Sequence, residues 1–161
     1  MSESIQKPFT IMVAIDGSET SERAAEYAVA MTKNTKNKDT QLIGITIIDL
    51  RRYYYSFSAL VAFPAPSYGS KELEEKREEA KMWLNQVNQL SKENHIPKFK
   101  SEIVENVVSS IGGAIVNYAE KEKVDLIVVG TRGRSGLKKM LIGSVASDIL
   151  HYAHCHVMIV K

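Results

Sequence analysis

The residues best suited to chemistry lie in one glycine-rich stretch toward the carboxyl end of the chain. It contains Gly130 and Gly133 and, after nine intervening residues, Gly143 and Ser144. An apolar run precedes it, which indicates a buried strand, and a helical pattern follows it from Ser144. Glycine lets a backbone approach a phosphate closely, and the unpaired N–H groups and dipole of a helix start attract anions. The stretch therefore predicts a phosphate-binding site between a strand and a helix.

The spacing and the charge of this stretch narrow the prediction. It fits neither the Walker pattern nor G-x-G-x-x-G, because nine residues separate Gly133 from Gly143. Four basic side chains make the local field positive: Arg132, Arg134, Lys138 and Lys139. We place Arg132 among the candidate phosphate ligands, although a solvated surface explains such arginines equally well. A tight bend of the chain is the structural alternative for the glycines.

Composition sets bounds on the class of protein. At 161 residues, the chain is expected to form a single domain over residues 1–161. A net charge of +2 is too small to indicate nucleic acid or an acidic membrane as a partner. The one cysteine, Cys155, excludes an internal disulfide and fits a reducing compartment. The amino terminus is polar and no apolar run approaches ~20 residues, so we expect no signal peptide, no membrane span and a cytoplasmic location.

Apolar runs alternate with helical patterns along the chain. The predicted strands are Phe9–Ile15, Gln41–Leu50, Phe99–Val104, Val124–Val129 and Cys155–Val160. The predicted helices are Ser18–Lys33, Lys71–Asn94, Ser109 or Ser110 to Lys121, and Ser144–Ala153. This alternation demands right-handed crossovers. It predicts an open five-stranded parallel sheet with helices on both faces, Rossmann-like, in strand order 3-2-1-4-5.

Three segments depart from the regular pattern. Phe99–Val104 alternates apolar and polar residues, which is typical of an edge strand. Gly112 and Gly113 each weaken their helix by roughly 1 kcal/mol, so we expect a ragged first turn. Arg51–Ser70 is rich in tyrosine and shows neither a helical nor a strand period, which predicts an inserted loop that is either functional or mobile. A lid over a ligand, an oligomer contact and packing on its own helix stay open as its role.

Two of the predicted strands bring candidate residues to one place. In open parallel sheets, ligands bind at the carboxyl ends of strands where the winding reverses, here between the first and fourth strands. Asp16 follows the first strand and Gly130 ends the fourth, so we expect them to converge. Asp16 is either a ligand-binding carboxylate or a plain turn residue before Gly17.

A second cluster of side chains raises the question of zinc. It consists of His151, His154, Cys155 and His156. The first two histidines fall in the last turn of a predicted helix, where their charge suits the dipole, and Cys155 begins a predicted buried strand. Ligands spread across a helix end and a strand do not converge as a tetrahedral site requires, so we predict no metal there.

The glycine-rich stretch resembles the nucleotide motif of the universal stress protein family. The family spacing is G-x2-G-x9-G-[S/T], which this chain matches at every fixed position. The resemblance extends to Val13–Ser21, Asp125–Gly130 and Ala153–Val157, which look like the family's opening strand and turn, its central strand and the entry to its last strand. One departure is His156, which replaces the family's usual proline.

The resemblance implies an adenine nucleotide alpha hydrolase-like fold that binds ATP together with Mg²⁺. By position, Asp16 would contact the nucleoside or the metal ion, and the backbone of Ile47 would meet the adenine edge. Gly130 would approach the ribose, and the phosphates would lie on Gly133, Gly143, Ser144 and Val145. The family commonly dimerises through its last strands, here Val157–Lys161.

Together these features favour an ATP-binding stress or signalling module without efficient catalysis, whose protein partner the sequence does not name. Efficient phosphoryl transfer needs in-line geometry, a positioned base and strong electrostatic clamps. The sequence offers one carboxylate, Asp16, at a predicted strand end and no second one, which leaves a slow ATPase or phosphotransferase as the alternative. A phospho-receiver domain is excluded, because it needs an aspartate after the third strand, where Glu105 and Asn106 stand.

Overall fold

A computed structural model describes residues 9–35, 37, 39–51, 68–131 and 142–161. Within these ranges, strands and helices alternate along the chain. The strands are β1 Thr10–Ala14, β2 Gln41–Asp49, β3 Phe99–Asn106, β4 Leu126–Gly130 and β5 His156–Val160, and the helices are α1 Glu19–Asn34, α2 Tyr68–Glu93, α3 Ile111–Lys121 and α4 Ser144–Tyr152. None of these helices combines the length and the apolar character needed to cross a bilayer.

The strands form one parallel sheet in the order β3-β2-β1-β4-β5, which confirms the predicted fold class. β1 lies between β2 and β4, with Val13 opposite both Gly44 and Val128. The winding therefore reverses between β1 and β4, as predicted. β3 lies at one edge of the sheet, which confirms its prediction as an edge strand, and β5 lies at the other.

Two apolar layers cover the two faces of the sheet. Along β1, Ile11 and Val13 pack with α1 and α2 on one face, whereas Met12 and Ala14 pack with α3 and α4 on the other. All four are buried, because strand side chains point alternately to opposite faces and both faces carry helices. The central strands are therefore held from both sides, and their carboxyl ends form a firm platform for a site.

Some element boundaries differ from the sequence prediction. α2 begins at Tyr68, so the end of the predicted Arg51–Ser70 loop is helical. Residues 52–67 lie outside the described ranges, and the roles considered for them stay predictions. β5 begins at His156, and Cys155, which was expected to start a buried strand, precedes it and is only half-buried. Burial and, second, the Asp125 carboxylate raise the pKa of the Cys155 thiol.

The first turn of α3 is regular, although its two glycines predicted a ragged one. Ser110 caps the helix, since its Oγ accepts a hydrogen bond from the N–H of Gly113 at 3.0 Å. Gly112 lies against α4, where a Cβ would come within 2.4 Å of the Cβ of Asp148. Ser110 Oγ also donates to the carboxylate of Asp148 at 2.8 Å. The ragged-turn prediction is wrong because a cap and close contact with α4 offset the low helix propensity of glycine.

Candidate functional site

Asp16 lies in the turn that joins β1 to α1 at the carboxyl edge of the sheet. Its carboxylate Oδ1 accepts hydrogen bonds from the N–H of Ser18 at 3.1 Å and from Ser18 Oγ at 2.6 Å. Gly17 between them has a φ of +76°, a conformation that favours glycine. Ser18 also caps α1, because its Oγ accepts from the N–H of Ser21 at 3.2 Å. Asp16 is thus a turn residue through Oδ1, and no hydrogen bond to Oδ2 occurs among the described residues.

Gly130, at the end of β4, packs against the first turn of α1. A Cβ at this position would lie 2.6 Å from Thr20 Oγ1 and 2.7 Å from the carbonyl carbon of Thr20, which is closer than real side chains approach. Ser21, the next residue, accepts a hydrogen bond through Oγ from the N–H of Asp16 at 3.4 Å. Asp16 and Gly130 therefore both contact the first turn of α1, which places them close together, and their convergence was predicted from the sequence. The close approach of Thr20 is enough to require a glycine at position 130. Sequence reasoning missed this packing requirement. The contact of Gly130 with a ribose stays a prediction.

The two ends of the glycine-rich stretch meet through a backbone hydrogen bond. The N–H of Gly143 donates to the carbonyl of Thr131 at 2.6 Å, and the N–H of Thr131 donates to the carbonyl of Val160 in β5 at 2.7 Å. The end of β4 is thereby joined to the start of α4. Arg132 and Gly133 lie between these two points, outside the described residues, so their contact with phosphate stays a prediction.

Thr131 is a site residue that sequence reasoning did not single out. Its side chain is 2% exposed, and its Oγ1 has no hydrogen-bond partner among the described residues. A buried hydroxyl without a partner costs about 1–3 kcal/mol, so it is uncommon in folded proteins. Its place beside Gly143 makes this hydroxyl a candidate for contact with a bound ligand. The available signal was a hydroxyl side chain directly after Gly130.

Among the described residues, no side chain caps the start of α4, in contrast to the starts of α1 and α3. The N-cap of α4, Gly143, offers no side-chain acceptor, whereas Ser18 and Ser110 cap the other two helices. The N–H groups of a first helical turn need acceptors, and the helix dipole favours a negatively charged one. Ser144 is exposed here, and Val145 is half-buried against the core. The position predicted to hold phosphates therefore has the chemistry of an anion site.

The end of β2 extends beyond β1 at the same edge of the sheet. Pairing of β2 with β1 ends at Ile45, whose carbonyl also accepts from the N–H of Ile15 at 2.9 Å, whereas pairing with β3 continues to Asp49. Ile47 lies in this overhang, with its side chain half-buried against the core. The overhang carries backbone donors and acceptors past the end of β1, where the planar edge of a base could meet them.

Asp49, the last residue of β2, is a second carboxylate at a strand end, and the sequence did not predict it as a site residue. Arg51 donates to both of its oxygens, from Nε to Oδ1 at 2.8 Å and from Nη2 to Oδ2 at 2.6 Å. This fork geometry is the strong form of an arginine–carboxylate pair. The prediction of a single carboxylate is therefore wrong. Asp49 follows Ile47 and Ile48 directly. Because the guanidinium of Arg51 bonds to both of its oxygens, Asp49 is poorly placed to act as a base.

The histidines near the carboxyl end take separate partners. His154 Nε2 lies 3.1 Å from a carboxylate oxygen of Glu120, and His151 Nδ1 lies 2.9 Å from the carbonyl of Ser147. Across the part of the chain that the structure describes, no three His, Cys, Asp or Glu side chains are arranged to hold a metal ion. His151 therefore contacts the carbonyl of its own helix near the end of α4, and His154 makes a surface contact with α3.

The order of the strands and the site at the reversal of winding define a Rossmann-like α/β protein. The family model described as the universal stress protein family matches residues 9–161, and the chain belongs to this family. The resemblance seen in the sequence is thereby confirmed.

Relatives and solved structures agree with this assignment. The chain is 37% identical to the universal stress protein MJ0531 of Methanocaldococcus jannaschii over 153 residues, covering 94% of this chain and 81% of the relative. The solved structure of MJ0577, a universal stress protein of the same organism, superposes with a TM-score of 0.76 at 27% identity over 95% of each chain. A universal stress protein solved in complex with cAMP superposes with a TM-score of 0.61 at 25% identity, over 95% of this chain and 96% of that one.

Proposed function

We propose that the chain binds ATP with Mg²⁺ and acts as a nucleotide-dependent stress or signalling module without efficient catalysis. The junction of Thr131 with Gly143 carries this proposal, because it sets the open start of α4 at the end of β4. A helix start of this kind, reached through a glycine, is a common phosphate site. The cAMP complex of a similar protein supports an adenine nucleotide as the ligand.

In this proposal the phosphates and the adenine of the nucleotide bind at two places along the carboxyl edge of the sheet. The N–H groups that follow Gly143, at Ser144 and Val145, receive the phosphates, and Thr131 Oγ1 adds a donor next to them. Arg132 and Gly133 complete the phosphate contacts in this proposal. The overhang of β2 at Ile47 receives the adenine through its backbone.

Asp16 connects the nucleotide with the metal ion in this proposal. Mg²⁺ prefers oxygen ligands and is commonly held by one or two carboxylates together with phosphate oxygens. Oδ1 of Asp16 is committed to Ser18, which leaves Oδ2 for the metal ion or for the ribose. The residues present therefore fit a magnesium nucleotide, with Asp16 as the protein ligand.

The proposed lack of efficient catalysis rests on the carboxylates at this edge. Asp16 is engaged by Ser18 through one oxygen, and Asp49 is engaged by Arg51 through both. Neither is arranged as the positioned base that fast phosphoryl transfer requires. The alternative predicts steady conversion of ATP to ADP, with the phosphoryl group passed to water by a slow ATPase or to an acceptor by a phosphotransferase, whereas our proposal predicts intact nucleotide after long incubation.

Calorimetry with ATP and GTP, each with and without Mg²⁺, tests the proposal. We expect binding of ATP and weaker binding of GTP, because the backbone at Ile47 would distinguish the two base edges. Mass spectrometry of nucleotide released from freshly purified protein gives an independent readout. No heat with ATP at millimolar concentration, together with no copurified nucleotide, would overturn the proposal.

We also propose a homodimer through the outer edge of β5, within Val157–Lys161. His156 and Val160 direct their backbone groups to β4, since His156 N–H donates to Asp125 and the Val160 carbonyl accepts from Thr131. Backbone groups along a strand point alternately to its two sides. The N–H and C=O groups of Val157 and Ile159 therefore point away from β4, toward the open edge of the sheet. An apolar edge strand of this kind favours pairing with a second chain.

The outward residues supply the test of the dimer. Ile159→Pro removes an outward donor and should shift the mass measured by light scattering from dimer to monomer. Wild-type protein that is monomeric at tens of micromolar would contradict the dimer. The cytoplasmic location stays a prediction, which fractionation of cells expressing the protein would check.

A further inference from the structure

Trp83 in α2, the single tryptophan of the chain, packs its indole against the turn that carries Asp16. A Cβ added to Gly17 would lie 2.4 Å from Cε2, 2.5 Å from Nε1 and 2.7 Å from Cζ2 of this ring. One edge of the indole therefore touches the backbone of Gly17 and leaves no room for a side chain. This contact joins α2 directly to the turn of the candidate site that carries Asp16.

Gly17 is the residue of the turn that most needs an outside restraint. Its φ of +76° lies in a region that glycine enters freely, and glycine has few intrinsic limits on its backbone. Asp16 precedes it and Ser18 follows it, and the two are joined by hydrogen bonds of 3.1 and 2.6 Å to Oδ1. A displacement of Gly17 would therefore disturb both bonds and turn the carboxylate.

The indole is itself held by the core. Trp83 packs against the cluster that contains Ile15, Ala25 and Val87. On the same helix, Ala80 is 0% exposed and Val87 is 4% exposed, so α2 is anchored one turn before and one turn after Trp83. The contact with Gly17 is therefore made by a fixed surface rather than by a loose side chain.

We propose that Trp83 is a positioning residue for nucleotide binding, which acts by holding the turn of Asp16, Gly17 and Ser18 in its binding geometry. This inference rests on the proposed function. A pre-organised site binds more tightly because the ligand does not have to order it. Without the indole, the glycine turn samples other conformations, and the Asp16 carboxylate meets the nucleotide or its metal ion less often.

Four proteins test the proposal: wild type, Trp83→Ala, Trp83→Phe and the matched control Val87→Ala. Val87 lies one helical turn further along α2, is buried in the same cluster, and is not among the nearest neighbours of Gly17. Calorimetry with Mg-ATP well below the melting temperature should show about tenfold weaker binding for Trp83→Ala, a cost of ordering one segment. Trp83→Phe should recover part of the loss, and Val87→Ala should bind as wild type.

A double-mutant cycle with Asp16→Ala gives a readout that a purely structural role would not move. If the indole acts through Asp16, Trp83→Ala should have little further effect on affinity in the Asp16→Ala background. Additive losses would overturn the proposal, and so would equal losses in Trp83→Ala and Val87→Ala. If Trp83→Ala does not fold, Trp83→Phe takes its place in the cycle.

Hydrogen exchange of the ligand-free proteins separates this inference from the proposed function. Amides from Gly17 to Ser21 should exchange faster in Trp83→Ala than in wild type or Val87→Ala. Faster exchange in Trp83→Ala, together with a wild-type protein that binds no ATP, would overturn the proposed function and leave the restraint on the turn standing. Unchanged exchange in Trp83→Ala would overturn the inference even if wild type binds ATP.

Discussion

The starts of α1 and α4 lie at the same edge of the sheet and are built in opposite ways. At α1, Ser18 caps the helix and donates a hydrogen bond from Oγ to the carboxylate of Asp16. Ser21 Oγ accepts a hydrogen bond from the N–H of Asp16. At α4, the N-cap is Gly143, which has no side chain to offer. The start of α1 has its own side-chain cap, whereas no side-chain cap at the start of α4 is found among the described residues. A site assembled from both combines a rigid wall with an open anion position.

This contrast predicts that substitutions at the two helix starts affect different quantities. Changes at the start of α1 should lower the free energy of unfolding, because internal contacts are lost. Changes at the start of α4 should lower affinity for nucleotide and leave unfolding almost unchanged. The predictions below are ordered by the expected size of their effects.

Gly143→Val should produce the largest loss of affinity. Gly143 has φ −72° and ψ 160°, which any residue adopts, so the change should not strain the backbone. Two methyl groups at this position would block a phosphate from the first turn of α4. We expect affinity for ATP to fall roughly ten- to a hundredfold, the value of a charge-assisted contact of about 1.5–3 kcal/mol. Calorimetry beside thermal melting checks this, and wild-type affinity would mean that the glycine only turns the chain.

Gly130→Ala should mainly lower the free energy of unfolding. Its new Cβ would meet Thr20 at 2.6 Å, so β4 and α1 would have to separate. Overpacking of this kind costs about 1–3 kcal/mol. Urea unfolding of the ligand-free protein measures the loss, with Gly143→Ala as the matched glycine control that should unfold as wild type. A stable Gly130→Ala variant with weakened ATP binding would assign this glycine to the ligand instead of to packing.

The glycines also show where prediction from sequence reached its limit. The strand order followed from apolar runs and the handedness of crossovers, and the start of the first helix was predicted at Ser18 because helix-start signals are local. Gly17, Gly112 and Gly130 each make room for a residue from another element: Trp83, Asp148 and Thr20. Local patterns identify a glycine but do not show which distant group lies against it. For that reason a glycine that accommodates a ligand and one that accommodates a side chain look alike in the sequence.

Asp16→Ala should weaken ATP binding by about tenfold if Oδ2 contacts the nucleotide or its metal ion, the value of one hydrogen bond to a charged group. A larger loss in Mg²⁺ than in EDTA would assign the carboxylate to the metal ion, and an equal loss would assign it to the nucleoside. Because Oδ1 bonds to Ser18, the variant should also unfold at lower urea concentration. Unchanged affinity in both buffers would reduce Asp16 to a turn residue.

Thr131→Val should have the smallest effects, and it should raise stability while it lowers affinity for ATP. The Oγ1 of Thr131 is buried without a partner among the described residues, so its replacement by a methyl group should raise the free energy of unfolding by up to about 1 kcal/mol. If the hydroxyl contacts a phosphate in the complex, affinity for ATP should fall about three- to tenfold at the same time.

Thr46→Val is the matched control for Thr131→Val. Its hydroxyl is also buried without a partner in the described part of the chain, with the residue 3% exposed in β2. Thr46 pairs with Ile103 of β3, and no ligand contact is assigned to its side chain. This variant should gain stability and keep its affinity. Equal affinities for the two variants and wild type would show that both hydroxyls are packing defects, and the contrast between the two helix starts would then rest on Gly143 alone.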